Sequence, residues 1–142
     1  MKCLGNISII TVVYNNAIHV EDAIRSVLSQ HYQNIEYIVV DGGSTDGTVD
    51  IIRKYGKHIS YWQSNPDRGQ THALNKGFSR ATGTLRGWLN ADEEYLPGTL
   101  DCVGKEYRRS SDLNLIYGNR YLCDFATGTK ILKKIPAINP HP

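Results

Sequence analysis

The stretch ISIITVVYNNAIHVEDAIRSVLSQHYQNIEYIVVDGG, residues 7 to 43, decides the fold. Ile7 to Tyr14 is a β-branched apolar run, the composition of a strand buried on both faces. Asn15 and Asn16 follow, both of a type that caps helices. Val20, Ala23, Ile24, Val27 and Leu28 then recur at helical spacing, which predicts an amphipathic helix of about three turns. Ile35 to Val40 is a second buried strand, and it stops in the turn chemistry of Asp41-Gly42-Gly43-Ser44-Thr45-Asp46-Gly47. Strand, helix and strand in that order imply a parallel pair joined by a crossover.

The alternation continues. Val49, Ile51, Ile52 and Tyr55 predict a helix closed by Gly56. Ile59 to Gln63 is a short strand, and Asn65 to Gly69 is a loop. A helix runs from about Thr71 to Ala81 and ends at Gly83. Thr84 to Leu89 is a strand running into Asp92, Glu93 and Glu94. Pro97 suits the first turn of the next helix, which extends to about Arg109. Leu115 to Tyr117 reads as a strand, and Arg120 to Lys134 as a hairpin turning near Ala126 to Thr129. The Pro-rich tail from Ile135 to Pro142 is not expected to be regular structure. The fold class is therefore α/β, a Rossmann-like, mostly parallel sheet with helices on both faces. Residues 1–142 read as a single domain.

Composition narrows the function classes. The chain has 142 residues, 40% of them apolar and 21% charged, as in a soluble globular protein. Its formal net charge of +2 comes without any long Lys/Arg tract, which argues against a nucleic-acid partner. The start is not a signal peptide, since Ser8 and Thr11 interrupt the apolar run and no small-residue cleavage site follows. No stretch approaches the ~20 apolar residues of a membrane span. Cys3, Cys102 and Cys123 are odd in number and widely spaced, which indicates reduced thiols, a cytoplasmic location and no zinc site. Peripheral attachment at the inner face of a membrane stays open.

In parallel sheets of this kind, ligands bind beyond the carboxyl ends of the strands. Three polar clusters fall there: Thr11 to Asn16, Asp41 to Asp46, and Asn90 to Glu94. The glycines after the second strand do not make a dinucleotide fingerprint, and no P-loop is present. Spacing excludes an EF-hand, because Gly43, Thr45 and Ile52 occupy ligand positions. Asp41 suits either a hydrogen bond to a nucleobase or a cap on its own turn. Asp46 is expected to cap the following helix. Arg68 offers donors suited to phosphate or carboxylate, or else forms a surface ion pair, and Gly69 lets backbone come close to a ligand. His72 is expected to be structural or solvated rather than catalytic. The acids at Asp92 and Glu93 are either a solvated loop or hard ligands for magnesium or manganese, which take one or two carboxylates plus substrate phosphates.

The ordered set ISIITVVYN, VVDGGSTDGT, NPDRGQTHALNKG, ATGTLRGWLNADE and YLPGTL resembles the family 2 glycosyltransferases of the GT-A fold over about residues 6 to 120. The resemblance implies transfer of a sugar from a nucleotide-sugar, a UDP-sugar above all, to a glycan or lipid-linked acceptor, with inversion and with Mn2+ or Mg2+. It implies that Thr11, Val13, Tyr14 and Asn15 line the nucleotide pocket and that Asp41 reads the base. Asp67, Arg68 and Gly69 match a segment near the nucleotide-sugar. Asn90-Ala91-Asp92 resembles the DxD element, with Asp92 as metal ligand and Glu93 as a second candidate. Two departures are Asn90 and Glu93, where many members carry Asp. The acid pair that supplies the general base in the family's acceptor half has no match: the later acids are Asp101, Glu106, Asp112 and Asp124. The chain thus resembles the donor half, cut short before the acceptor-binding half. Apolar groups on the last elements are expected to lack part of their cover, so that the chain self-associates as a homo-oligomer or is marginally stable.

Overall fold

The computed structural model describes residues 5–110 and 115–135, which fall into two compact units divided after Arg109. In the first unit β1 (Ile7–Val13), α1 (Val20–Leu28), β2 (Ile35–Asp41), α2 (Thr48–Lys54), β3 (Tyr61–Ser64), α3 (Gln70–Arg80), β4 (Leu85–Asn90) and α4 (Thr99–Arg109) alternate strictly. The strands form one parallel sheet in the order β3-β2-β1-β4. The second unit contains an antiparallel hairpin of β5 (Arg120–Cys123) and β6 (Lys130–Lys133).

β1 is buried at all seven positions because it lies between β2 and β4 and is covered on both faces. Ile7, Ile9 and Val13 point to one face, where Val20, Ala23, Ile24 and Val27 of α1, Ile52 of α2 and Leu100 of α4 complete a core. Ile10 and Val12 point to the other, against Ala73, Leu74 and Phe78 of α3. The period of two in β1 thus becomes a three-layer sandwich. At the carboxyl edge, register places Val13 beside Asp41, Asp41 beside Ser64 and Val12 beside Asn90.

Several expectations need correction. Asn15 and Asn16 do not cap α1 with their side chains; His19 is the N-cap residue and gives no side-chain cap either. Pro97 lies in a turn ahead of α4, which begins at Thr99. Leu115 to Tyr117 is not a strand, for the apolar triplet has no ladder partner among the described residues. The hairpin turning at Ala126 to Thr129 is present. The tail after Ile135 and Cys3 lie outside the described residues. Cys102 and Cys123 are exposed free thiols. No helix among the described residues is long and apolar enough to cross a membrane.

Candidate functional site

Side chains of one loop hold the backbone of another at the carboxyl edge. After β1, the N–H groups of Asn15, Asn16 and Ala17 donate in succession to Ser44 Oγ at 2.7 Å, Thr48 Oγ1 at 3.0 Å and Asp46 Oδ2 at 3.0 Å. Asn15 Oδ1 in return accepts from the Thr45 N–H at 2.8 Å. Asn15 adopts φ +47°, a left-handed conformation that Asn tolerates better than most residues. Asp46 also accepts from the Thr48 N–H and hydroxyl, so it caps the start of α2 as expected. The hydrogen bonds to Thr48 and to the Ala17 N–H hold its carboxyl below the usual range.

Asp41 has no exposed surface. Its Oδ2 accepts from the N–H groups of Gly43 at 3.0 Å and Ser44 at 2.9 Å and from Ser64 Oγ at 2.6 Å, and its Oδ1 accepts from Ser44 Oγ. Asp41 therefore caps its own turn and ties it to β3. Gly43 turns with φ +87°, and a Cβ there would lie 3.1 Å from the backbone nitrogen of Pro66. A Cβ on Gly42 would meet Asp67 Oδ2 at 2.9 Å. The two glycines thus let the loop after β3 pack onto the turn after β2.

That second loop leads into α3. Asp67 Oδ1 accepts from the Gly69 N–H at 2.8 Å, and His72 Nδ1 accepts from the Arg68 N–H at 3.1 Å. The Arg68 side chain is exposed. From α3, Gln70 Nε2 donates to Asn90 Oδ1 at 2.7 Å. The turn after β4 closes on itself: Glu93 Oε2 accepts from the Asn90 N–H at 3.0 Å, and the Glu93 N–H donates to the Asn90 carbonyl at 3.1 Å. Tyr95 roots this turn in the core, and burial first, with the Glu93 charge second, pushes its phenol up to about 12.

Between these loops lies an open cleft of about 860 Å³. Of the residues singled out in the sequence, Val13, Tyr14, Asp67, Gly69, Asn90, Ala91 and Asp92 line it. Thr11, Asn15, Asp41, Arg68 and Glu93 do not. Thr11 is fully buried, and its Oγ1 accepts from the Tyr37 hydroxyl at 3.0 Å. Burial pushes the Tyr37 phenol up, only partly offset by that bond. Gln70 lines the cleft without having been singled out, because an exposed glutamine at a helix start carries no pattern that marks it.

A divalent cation suits this edge in one form only. No group of three or more His, Cys, Asp or Glu side chains that could hold a metal occurs among the described residues. Asp92 and Asp67 are the acids lining the cleft, while an oxygen of Glu93 and the oxygen of the Asn90 side chain already accept hydrogen bonds. A carboxylate at an open cleft fits a cation whose other ligands are phosphate oxygens and water, and does not fit a caged structural metal. The later acids are engaged elsewhere: Asp101 pairs with Lys105, Glu106 with Arg109, and Asp124 accepts from the N–H groups of Ala126 and Thr127 in the hairpin turn. Those backbone donors hold the Asp124 carboxyl below its usual range. Asp112 lies outside the described residues.

The sequence profile described as Glycosyl transferase family 2 matches residues 8–138. A curated relative, an uncharacterized glycosyltransferase of Nostoc sp., is 32% identical over 93% of this chain and 44% of its own length. The structure resembles a mannosyltransferase from Pyrobaculum calidifontis, solved in complex with GDP-Man and Mn2+, with TM-score 0.62 and 27% identity over 70% of this chain and 30% of that one. It also shares the fold of S. aureus TarS, with TM-score 0.67 and 22% identity over 73% of this chain and 32% of that one. The chain spans less than half the length of the curated relatives it matches.

Proposed function

The chain belongs to glycosyl transferase family 2, and from that premise we propose that its cleft binds the nucleoside diphosphate part of a nucleotide-sugar, a UDP-sugar in the first instance. The whole protein then transfers the sugar to an acceptor hydroxyl of a glycan or lipid-linked chain. The observation that carries this reading is the cleft itself. It opens at the carboxyl edge of a parallel sheet, between the turn after β2, the start of α3 and the end of β4. GDP-Man and Mn2+ in the Pyrobaculum relative support the ligand class.

The residues divide the work by position. Gly43, Gly69 and Gln70 line the cleft, and the positive pole of α3 favours an anionic ligand near Gly69. Asp92, with Glu93 as the second candidate, would hold a divalent cation, which supplies charge against a departing diphosphate. In an inverting transfer the acceptor oxygen forms the new bond to the anomeric carbon as the bond to diphosphate oxygen breaks. The acceptor proton must pass to a base. Asp101, Glu106 and Asp124 are already paired or capping and Asp112 lies outside the described residues; with no match to the family's acid pair, this chain alone is expected to hold donor without turning it over. A cytoplasmic location, with attachment at the inner membrane face, belongs to the same reading.

Calorimetric titration with UDP and with GDP, in Mn2+ and in chelator, tests this. UDP is expected to bind more tightly with Mn2+, and Asp92→Ala to abolish that difference. Equal affinity with metal and with chelator would remove the metal from the reading, and absence of binding to either nucleotide would remove the reading itself. Transfer of sugar from a UDP-sugar by this chain alone would show that it carries its own base.

A further inference from the structure

Asn90 is held at three of its four hydrogen-bonding atoms. Its backbone N–H donates to Glu93 Oε2, its carbonyl accepts from the Glu93 N–H, and its side-chain Oδ1 accepts from Gln70 Nε2 at 2.7 Å. Only the Nδ2 amide group has no partner among the described residues. Both Gln70 and Asn90 line the cleft, one from the first residue of α3 and the other from the last residue of β4. A carboxamide has one acceptor end and one donor end, and a partner that donates to the oxygen turns the donor end elsewhere.

We propose that Gln70 is a positioning residue: by holding Asn90 Oδ1 it commits the Asn90 amide to presenting N–H donors to the ligand in the cleft. This rests on the proposed nucleoside diphosphate ligand, whose phosphate and hydroxyl oxygens are the acceptors such donors meet. The consequence is specific to asparagine. An aspartate at position 90 would be acceptor-only when ionised, whichever way it turned, and would add negative charge beside Asp92. With asparagine, orientation becomes a variable, and in the structure the bond from Gln70 Nε2 fills the oxygen end. The bond to Gln70 also spares the amide part of the entropy of being ordered when ligand arrives.

The test is a double-mutant cycle on the full chain, using UDP in Mn2+ as the probe and calorimetric affinity as the readout. Thermal melts confirm that each variant is folded. Asn90→Ala is expected to weaken UDP by about tenfold, the low end for a hydrogen bond to a charged group. Gln70→Ala is expected to weaken it severalfold while leaving the melting temperature within the spread of exposed substitutions. In the Asn90→Ala background, Gln70→Ala should cost nothing further, because a positioning residue acts only through the group it positions. With diamagnetic Mg2+ in place of Mn2+, side-chain amide NMR signals of Asn90 should shift on UDP binding in the unsubstituted chain and lose that shift in Gln70→Ala. Equal losses from Gln70→Ala in both backgrounds would overturn the proposal and make Gln70 a direct ligand contact. An unchanged affinity in Gln70→Ala would overturn it as well. If the unsubstituted chain binds neither UDP nor GDP, the proposed function falls and this inference with it, an outcome distinct from both others.

Discussion

Asp41 shows how one side chain can hold the floor of a cleft without lining it. Removing its carboxylate strands two backbone N–H groups and two serine hydroxyls. A buried donor left without its partner costs about 1–3 kcal/mol, so Asp41→Ala is expected to destabilise the chain by about 3 kcal/mol in urea denaturation. Asp41→Asn keeps one acceptor oxygen and should cost less. A base could reach the carboxylate only if the Ser44 or Ser64 hydroxyl swung off it, so nucleotide affinity per folded molecule separates turn-holding from base contact. Glu21 carries a different kind of prediction. It accepts from Lys54 at 2.7 Å and from the Tyr55 hydroxyl at 2.6 Å, joining α1 to α2, and these bonds lower its carboxyl to about 2. Its contribution is present above the unfolded value near 4.5 and is lost as pH falls toward 2. Stability measured across that window should fall less steeply in Glu21→Gln, and the difference should shrink with salt because the group is exposed.

Among the elements, α3 depends on having no side chain at one point. A Cβ on Gly77 would sit 2.4 Å from Ile10 Cγ2. In an open helix Gly→Ala gains about 1 kcal/mol. Here overpacking of about 1–3 kcal/mol opposes that gain, so Gly77→Ala should destabilise. Ile10→Ala frees the space, and the double variant should be more stable than the two single losses predict. The same contrast explains what the sequence discloses. β1 and β2 were legible because their runs of Ile and Val are local; β4, which has no β-branched residue, was legible from its place between Gly83 and the polar turn at Asn90 to Glu94. The hairpin was legible from its turn residues. The roles of Asn15 and Asn16 were not, because their partners, Ser44, Thr45 and Thr48, lie some thirty residues away and only the sheet brings them near. Thr11 was placed in the nucleotide pocket by resemblance alone, and no local pattern shows that the Tyr37 hydroxyl from β2 donates to its Oγ1. Gln70 was invisible since nothing local distinguishes it from any solvated glutamine.

At the scale of the whole molecule, the second unit leaves several large apolar side chains exposed. Leu115, Phe125 and Ile131 retain 67, 75 and 53% of their surface, and a two-stranded hairpin is marginal by itself. Self-association is therefore expected, read as a sedimentation coefficient that rises with protein concentration; a constant monomer value would refute it. The place of β1 in the middle of the sheet has a consequence in time. Its ladder with β2 closes a short loop of chain, whereas its ladder with β4 must wait for everything between them. Ring-closure entropy makes the second closure costlier by roughly 1 kcal/mol. β4 is thus expected to be the last strand to dock during folding and the first to leave during unfolding, and it brings Asn90, Ala91 and Asp92 with it. Refolding chains should acquire β1–β2 amide protection before β4 is protected. A nucleotide that spans both sides of the cleft should slow unfolding more than it speeds folding, because it grips a joint that the transition state has yet to make.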